Sequence, residues 1–141
     1  MGVIEFSFLS VNSEKMEINS FLYIGLLAGL AQFFDGIIFI LNNHKISGLS
    51  YFTSTIEFLW FFVCVWVLVT LPLQGVLLAI PVIYIAYNIT GWIYGYQFYK
   101  GYETSEEMFD AQLPSFIAYG EILSGSIYLV LSLVAITGID S

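Results

Sequence analysis

The chain has 141 residues, 59% of them hydrophobic and 10% charged, with a formal net charge of −8. A soluble domain carries about 25% charged residues, and one of this size could not hide so much apolar surface, so the composition points to a membrane protein. Three lysines (Lys15, Lys45 and Lys100) and no arginine argue against nucleic acid as a partner and against a polybasic headgroup site, since both need clustered positive charge.

Met1–Ser20 lacks the basic start and small-residue cleavage site of a signal peptide. Its apolar part, Val3–Val11, is too short to span a bilayer and is expected to lie along the interface or against neighbouring helices, with Asn19 or Ser20 capping the next helix. Phe21–Leu41 is apolar over 21 residues apart from Gln32 and Asp35, close to the roughly 20 residues that a helix needs to cross a bilayer core. This is the first of four predicted transmembrane helices. Gly25, Ala28, Gly29, Gln32, Asp35, Gly36 and Phe39 recur at three- and four-residue steps and share one face. Small residues there let a second backbone approach closely, and Gln32 and Asp35 should face protein or trapped water rather than acyl chains. The other directions, Leu22 and Ile24 among them, suit lipid.

Asn42–Ser54 reads as a polar turn with Gly48 as a breaker. Its single histidine, His44, is expected to be solvated, and with no second histidine a bis-histidine haem or a His-rich metal site cannot be built in one copy. Thr53 or Ser54 followed by Glu57 resembles a capping box, which starts the second helix at about residue 55 and makes Glu57 a helix cap at the interface. That helix runs to about residue 71 and looks apolar on nearly every face. Cys64, the only cysteine, reads as a small buried hydrophobe.

Pro72–Gly75 divides an apolar region too long for one crossing and right for two. The third helix is expected over about 76–98, with Asn88, Gly91 and Gly95 on one face and Gly91-x-x-x-Gly95 as a second close-packing motif. Tyr94, Tyr96, Tyr99 and Tyr102 suit an aromatic belt at the headgroup level. Residues 100–114 hold Glu103, Glu106, Glu107 and Asp110 and form a surface loop, with one short helix from Ser105. The spacing of an EF-hand is absent. The fourth helix, about 115–136, carries Gly120, Glu121, Ser124, Gly125, Tyr128, Ser132 and Ala135 along one stripe and is the natural partner of the first.

Four antiparallel up-down crossings would bring Asp35, Glu121 and Glu57 to one half of the bundle, with Asn88 and Gln97 in reach. Intramembrane acids often mark proton or ion paths, and two carboxyls out of water would share one proton. The structural alternative is glue: a neutral Asp35 bonded to Ser124 or Asn88 that fixes helix packing. Neither Glu57 nor Glu121 has a histidine three residues on, so a di-iron site is not expected. No serine–histidine–acid set, phosphate-cradling loop or paired CxxC is present either, so no enzymatic activity, catalytic residue or metal site is expected.

The sequence thus predicts an all-α protein, a single four-helix transmembrane bundle with short polar loops. Its expected partners are the lipid bilayer and other membrane subunits or copies of itself. The lysine distribution favours cytoplasmic loops 42–54 and 100–114 and external termini. Three roles follow in order: a non-catalytic structural or accessory subunit of a membrane assembly or homo-oligomer; a small channel or transporter for protons, cations or a polar solute using Asp35 and Glu121; and a hydrophobic helical virion coat. No cofactor is indicated by a motif, although quinone or pigment between helices would suit the tyrosines.

Overall fold

The computed structural model describes the backbone of residues 2–139 and the side chains of residues 15–138. Among the described residues the chain forms five helices: α1 (Gly2–Leu41), α2 (Gly48–Thr70), α3 (Gly75–Tyr99), the short α4 (Ser105–Asp110) and α5 (Ser115–Ile139). Four stretches are long and apolar enough to cross a membrane: Lys15–Leu41, Gly48–Thr70, Gly75–Tyr99 and Ser115–Gly138. The fold is an all-α four-helix bundle, as the hydropathy pattern predicts. Helix α1 packs on α2 and α5, and α3 packs on α2 and α5, so α1 and α3 sit on opposite corners.

The ends of the helices follow local chemistry. Helix α1 closes with a left-handed Asn43 (φ 53°), whose N–H donates to the Ile40 carbonyl at 3.3 Å while the His44 N–H donates to Phe39 at 2.7 Å. This pair of bonds is the Schellman pattern, with asparagine in the place that glycine usually takes. At the other end, Asn19 and Ser20 do not cap α1, because the helix runs through them. Helix α2 begins earlier than expected. Ser47 is its cap, in extended conformation, and its hydroxyl accepts from the Ser50 N–H at 3.1 Å. Gly48 is therefore the first helical residue rather than a breaker. The α2–α3 turn spans residues 71–74 and ends on Gly75, whose φ of +55° favours glycine. Helix α4 is started by a true capping box: Thr104 accepts from the Glu107 N–H, and the Glu107 carboxylate accepts from the Thr104 N–H.

The tightest seam lies between α1 and α5. A methyl group built on Gly36 would stand 2.5 Å from the Ala118 carbonyl oxygen, and one on Gly125 would stand 2.6 Å from the Phe33 nitrogen. These two backbones touch, as small residues at a helix crossing allow. Leu22, expected to face lipid, is instead fully buried and extends the α1 stripe by one turn.

Two apolar clusters form the core. One gathers Phe21, Leu22, Ala28, Trp60, Cys64, Val67, Leu71, Ile80, Tyr84, Tyr128 and Ala135. Inside it Trp60 stacks on Phe21 and donates its indole N–H to the Tyr128 hydroxyl at 2.8 Å. The other, smaller cluster is Phe39, Leu113 and Ala118, with Ile46, Phe98, Tyr99 and Ile117 against it. It lies where the two polar connections meet, tied by the Leu113 N–H donating to the His44 carbonyl at 2.8 Å and by a Lys45–Asp110 ion pair at 3.1 Å. His44 is accordingly half-buried rather than solvated, and its Nδ1 has no partner.

Candidate functional site

Every long helix places buried or half-buried polar residues between the two apolar clusters. Helix α1 supplies Gln32 and Asp35 between Ala28 and Phe39. Helix α2 supplies Ser50, Thr53 and Glu57 ahead of Trp60. Helix α3 supplies Asn88 and Tyr87 after Tyr84, and α5 supplies Glu121 and Ser124 between Ala118 and Tyr128. Gln32, Asp35, Ser50, Thr53, Glu57, Asn88 and Ser124 are all buried, and Glu121 is half-buried. The bundle therefore holds one polar layer inside an apolar shell. Hydrophobic burial does not account for such a layer, since each polar group taken out of water costs free energy unless it is paired.

The pairing is incomplete. Asp35, 2% exposed, accepts from the Thr53 hydroxyl at 2.6 Å, with Ser50 also facing it. The same Thr53 oxygen stands 2.9 Å from the Ser50 carbonyl and 3.2 Å from that of Leu49. The Glu57 carboxyl is near those of Glu121 and Asp35, and its Oε1 is buried without a hydrogen-bond partner. Glu121 is faced by Gln32 and Tyr87, yet its Oε2 and both amide atoms of the fully buried Gln32 lack a properly aligned partner. The Tyr84 hydroxyl donates to the Glu57 backbone carbonyl at 3.3 Å, and the Asn88 amide donates to the Tyr84 carbonyl at 3.0 Å.

No lysine reaches this layer. Lys15 is exposed on α1 twenty residues before Asp35, about 30 Å along the axis, Lys45 is paired with Asp110, and Lys100 is exposed at the end of α3. Three carboxyls from three helices thus share one region without a compensating cation among the described residues.

A cavity of about 390 Å³ adjoins the layer. Asp35, Glu57, Asn88 and Glu121 line one part of it, and Phe39, Trp92, Tyr94, Tyr99 and Phe116 line much of the rest. Ile46 and Leu113 line it on the side of the connections, and the α3 wall includes Gly91 and Gly95. Among the described residues, no group of three or more His, Cys, Asp and Glu side chains is arranged to hold a metal ion.

Several expected placements need correction. Glu57 is no cap: it is nine residues beyond the first residue of α2, about 14 Å along the axis at 1.5 Å per residue. Asp35 pairs with Thr53 rather than with Ser124 or Asn88. Gly91 and Gly95 are not at a helix contact, since a methyl group on either would meet nothing within 4 Å. Gln97 is exposed and lies outside the layer. Gly25, Gly29, Gly36 and Gly125 face side chains or backbone of neighbouring helices. Gly120 faces the Tyr87 hydroxyl, which would stand 3.2 Å from a methyl carbon added there.

Ser50, Thr53 and Tyr87 are members of the layer that the sequence pattern did not place there. For α2 the signal is present: Ser50, Thr53, Glu57, Trp60, Cys64 and Val67 repeat at steps of three and four. A helix start placed at residue 55 leaves Ser50 and Thr53, the first two of these six, outside the helix. No family model, curated protein or solved structure matches the chain, so the geometry alone bears on its function. It is a small protein with four helices suited to a membrane and a buried polar layer between them, nearer the connections at 42–47 and 100–114 than the other end.

Proposed function

We propose that this chain is a small membrane carrier or channel for protons, cations or a polar solute, with Asp35, Glu57 and Glu121 as its working groups. The observation that supports it is the set of three buried or half-buried carboxyls beside a cavity, with unpartnered oxygens and no cation nearby. Structural glue would satisfy its polar groups, because an unmet one inside a bundle costs about 1–3 kcal/mol. This layer leaves Glu57, Glu121 and Gln32 unmet, which suits groups that exchange a proton or a ligand. The Thr53 hydroxyl adds a specific point. It has one hydrogen and three acceptors in reach, so a proton on Asp35 would let Thr53 accept from Asp35 while donating to a backbone carbonyl.

No catalysis is assigned to the chain in this reading. The sequence ranks an accessory subunit first, and the apolar outer faces of α2 and α3 suit that role as well as they suit lipid. The incompletely paired layer favours the carrier, because a packing role does not require it.

Proton flux into vesicles reconstituted with the pure protein tests the reading, with a potassium diffusion potential as the driving force and an internal pH dye as the readout. Wild type should acidify the lumen, and Asp35→Asn should abolish the flux while the protein still folds. Normal flux in that variant would remove the acid site from the mechanism. A particle that contains other polypeptides in fixed ratio after gentle extraction, with no flux from the pure chain, would return the subunit to first place.

A further inference from the structure

We propose that the cavity between the polar layer and α3 is a binding site for a hydrophobic organic monocation, such as a lipophilic amine or onium ion. This rests on the carrier reading and names the class of its substrate.

The chemistry of the walls narrows the ligand. At one part of the cavity, Asp35, Glu57 and Glu121 present carboxyls, and Glu57, 7% exposed, has an oxygen without a hydrogen-bond partner. An anion would be repelled there, and a purely apolar ligand would leave those oxygens unmet. Elsewhere the lining is aromatic, with Phe39, Trp92, Tyr94, Tyr99 and Phe116. Aromatic faces attract cations through their quadrupole and give apolar bodies a large contact area. A bare metal ion would use none of that area, and the carboxyls are not arranged to coordinate one. The remaining class carries one positive charge and a hydrophobic body. At about 390 Å³ the cavity is within the range of roughly 300–1,000 Å³ that holds drug-sized molecules.

Exposed lining residues of α3 give the cavity an entrance between that helix and its neighbours, where Ser54 of α2 and Phe116 of α5 are exposed as well. Gly91 is exposed and Gly95 is half-exposed, both line the cavity, and a methyl group on either meets open space. Thr90 and Trp92, also exposed, flank Gly91 and line the cavity with it. These positions are in the span, so the opening faces the membrane interior, where a lipophilic cation partitions. The Gly91-x-x-x-Gly95 pair is then a portal rather than a packing motif.

Two probes of the same shape and opposite charge test this on the pure protein in detergent: tetraphenylphosphonium and tetraphenylborate, followed by calorimetry. The phosphonium should bind saturably at one site and the borate should not. Glu57→Gln should weaken phosphonium binding at least tenfold. Gly91→Phe, which fills open space and should leave the thermal unfolding unchanged, should block it as well. Equal binding of both ions would mean mere apolar adhesion and overturn the proposal. So would undiminished phosphonium binding by a folded Gly91→Phe protein, which keeps the test decisive if Glu57→Gln fails to fold. The two readings fail separately. Proton flux without phosphonium binding sinks this inference alone, and phosphonium binding without any flux sinks the carrier and leaves a binding site.

Discussion

Two pairs of glycines with the same spacing have opposite fates in this bundle. Gly25 and Gly29 on α1 lie under Tyr128, where a methyl group would come within 2.9 Å of its ring or hydroxyl. Farther along the same seam, Gly36 and Gly125 bring backbone to backbone. Gly91 and Gly95 on α3 touch nothing. The motif states that a backbone can be approached closely, and only the neighbours decide whether one does. On α1 the partner stripe on α5 supplies Ser124, Gly125 and Tyr128 at matching heights. On α3 the same absence of side chains leaves a hole in a cavity wall.

The sharpest way to break this comparison is to add the same side chain to each region. Gly125→Leu should drive α1 and α5 apart, because the first added carbon already meets the Phe33 nitrogen at 2.6 Å. Overpacking of this kind costs about 1–3 kcal/mol and more where backbone must move. Gly91→Leu should stay within about 0.5 kcal/mol of wild type, as substitutions at open positions do. Thermal unfolding in detergent compares them, and equal losses would mean that α3 packs more closely than the structure places it.

A smaller effect is expected inside the apolar cluster that backs the α1–α5 seam. Trp60→Phe keeps the stack on Phe21 but leaves the Tyr128 hydroxyl without its indole donor. An unmet buried hydroxyl costs about 1–3 kcal/mol, and the same unfolding assay should place this variant between the two glycine variants. A null result would show that Tyr128 finds another partner, and the fully buried Cys64 thiol beside it is one candidate.

Thr53→Val tests the polar layer rather than the seam. It removes the 2.6 Å hydrogen bond that ties α2 to the Asp35 carboxyl. Asp35 keeps Ser50 as a second side-chain partner, so it is not left unmet, and interhelical bonds of this type average about 0.6 kcal/mol in membranes. The loss of stability should be correspondingly slight, whereas the proton flux should change clearly if Thr53 orients the Asp35 carboxyl. The smallest effect is expected at Lys45→Ala. The Lys45–Asp110 pair is exposed, with the Asp110 side chain 85% accessible, and surface pairs are worth about 0–1 kcal/mol. A loss well beyond that would mean that the two connections brace the cavity from outside.

How much of this is legible in the chain depends on contrast. In α1, Gln32 and Asp35 stand out against leucine and isoleucine, and their spacing with four small residues defines a face without any structure. In α5, Glu121, Ser124 and Ser132 do the same. In α2 the buried stripe begins with Ser50 and Thr53, residue types that also start helices, and the apparent capping box at Glu57 draws the boundary seven residues late. Ser47 captures the cap because its hydroxyl reaches the Ser50 N–H. In α3 the buried face follows Ile80, Tyr84 and Asn88, and a tyrosine in an apolar run gives no sign of whether it faces lipid, headgroups or a carboxyl.

The sequence by itself determined that the chain forms four apolar helices, roughly where the connections between them lie, and which residues of α1 and α5 form a stripe that cannot meet lipid. Those are consequences of length, hydropathy and helical period, which act locally along the chain. Only the tertiary structure decided that Glu57 joins Asp35 and Glu121, that Thr53 rather than Ser124 meets Asp35, and that the second glycine pair opens onto a cavity. Each of these depends on the relative height and rotation of two helices. A period of 3.6 residues defines a face but carries no information about what stands opposite it.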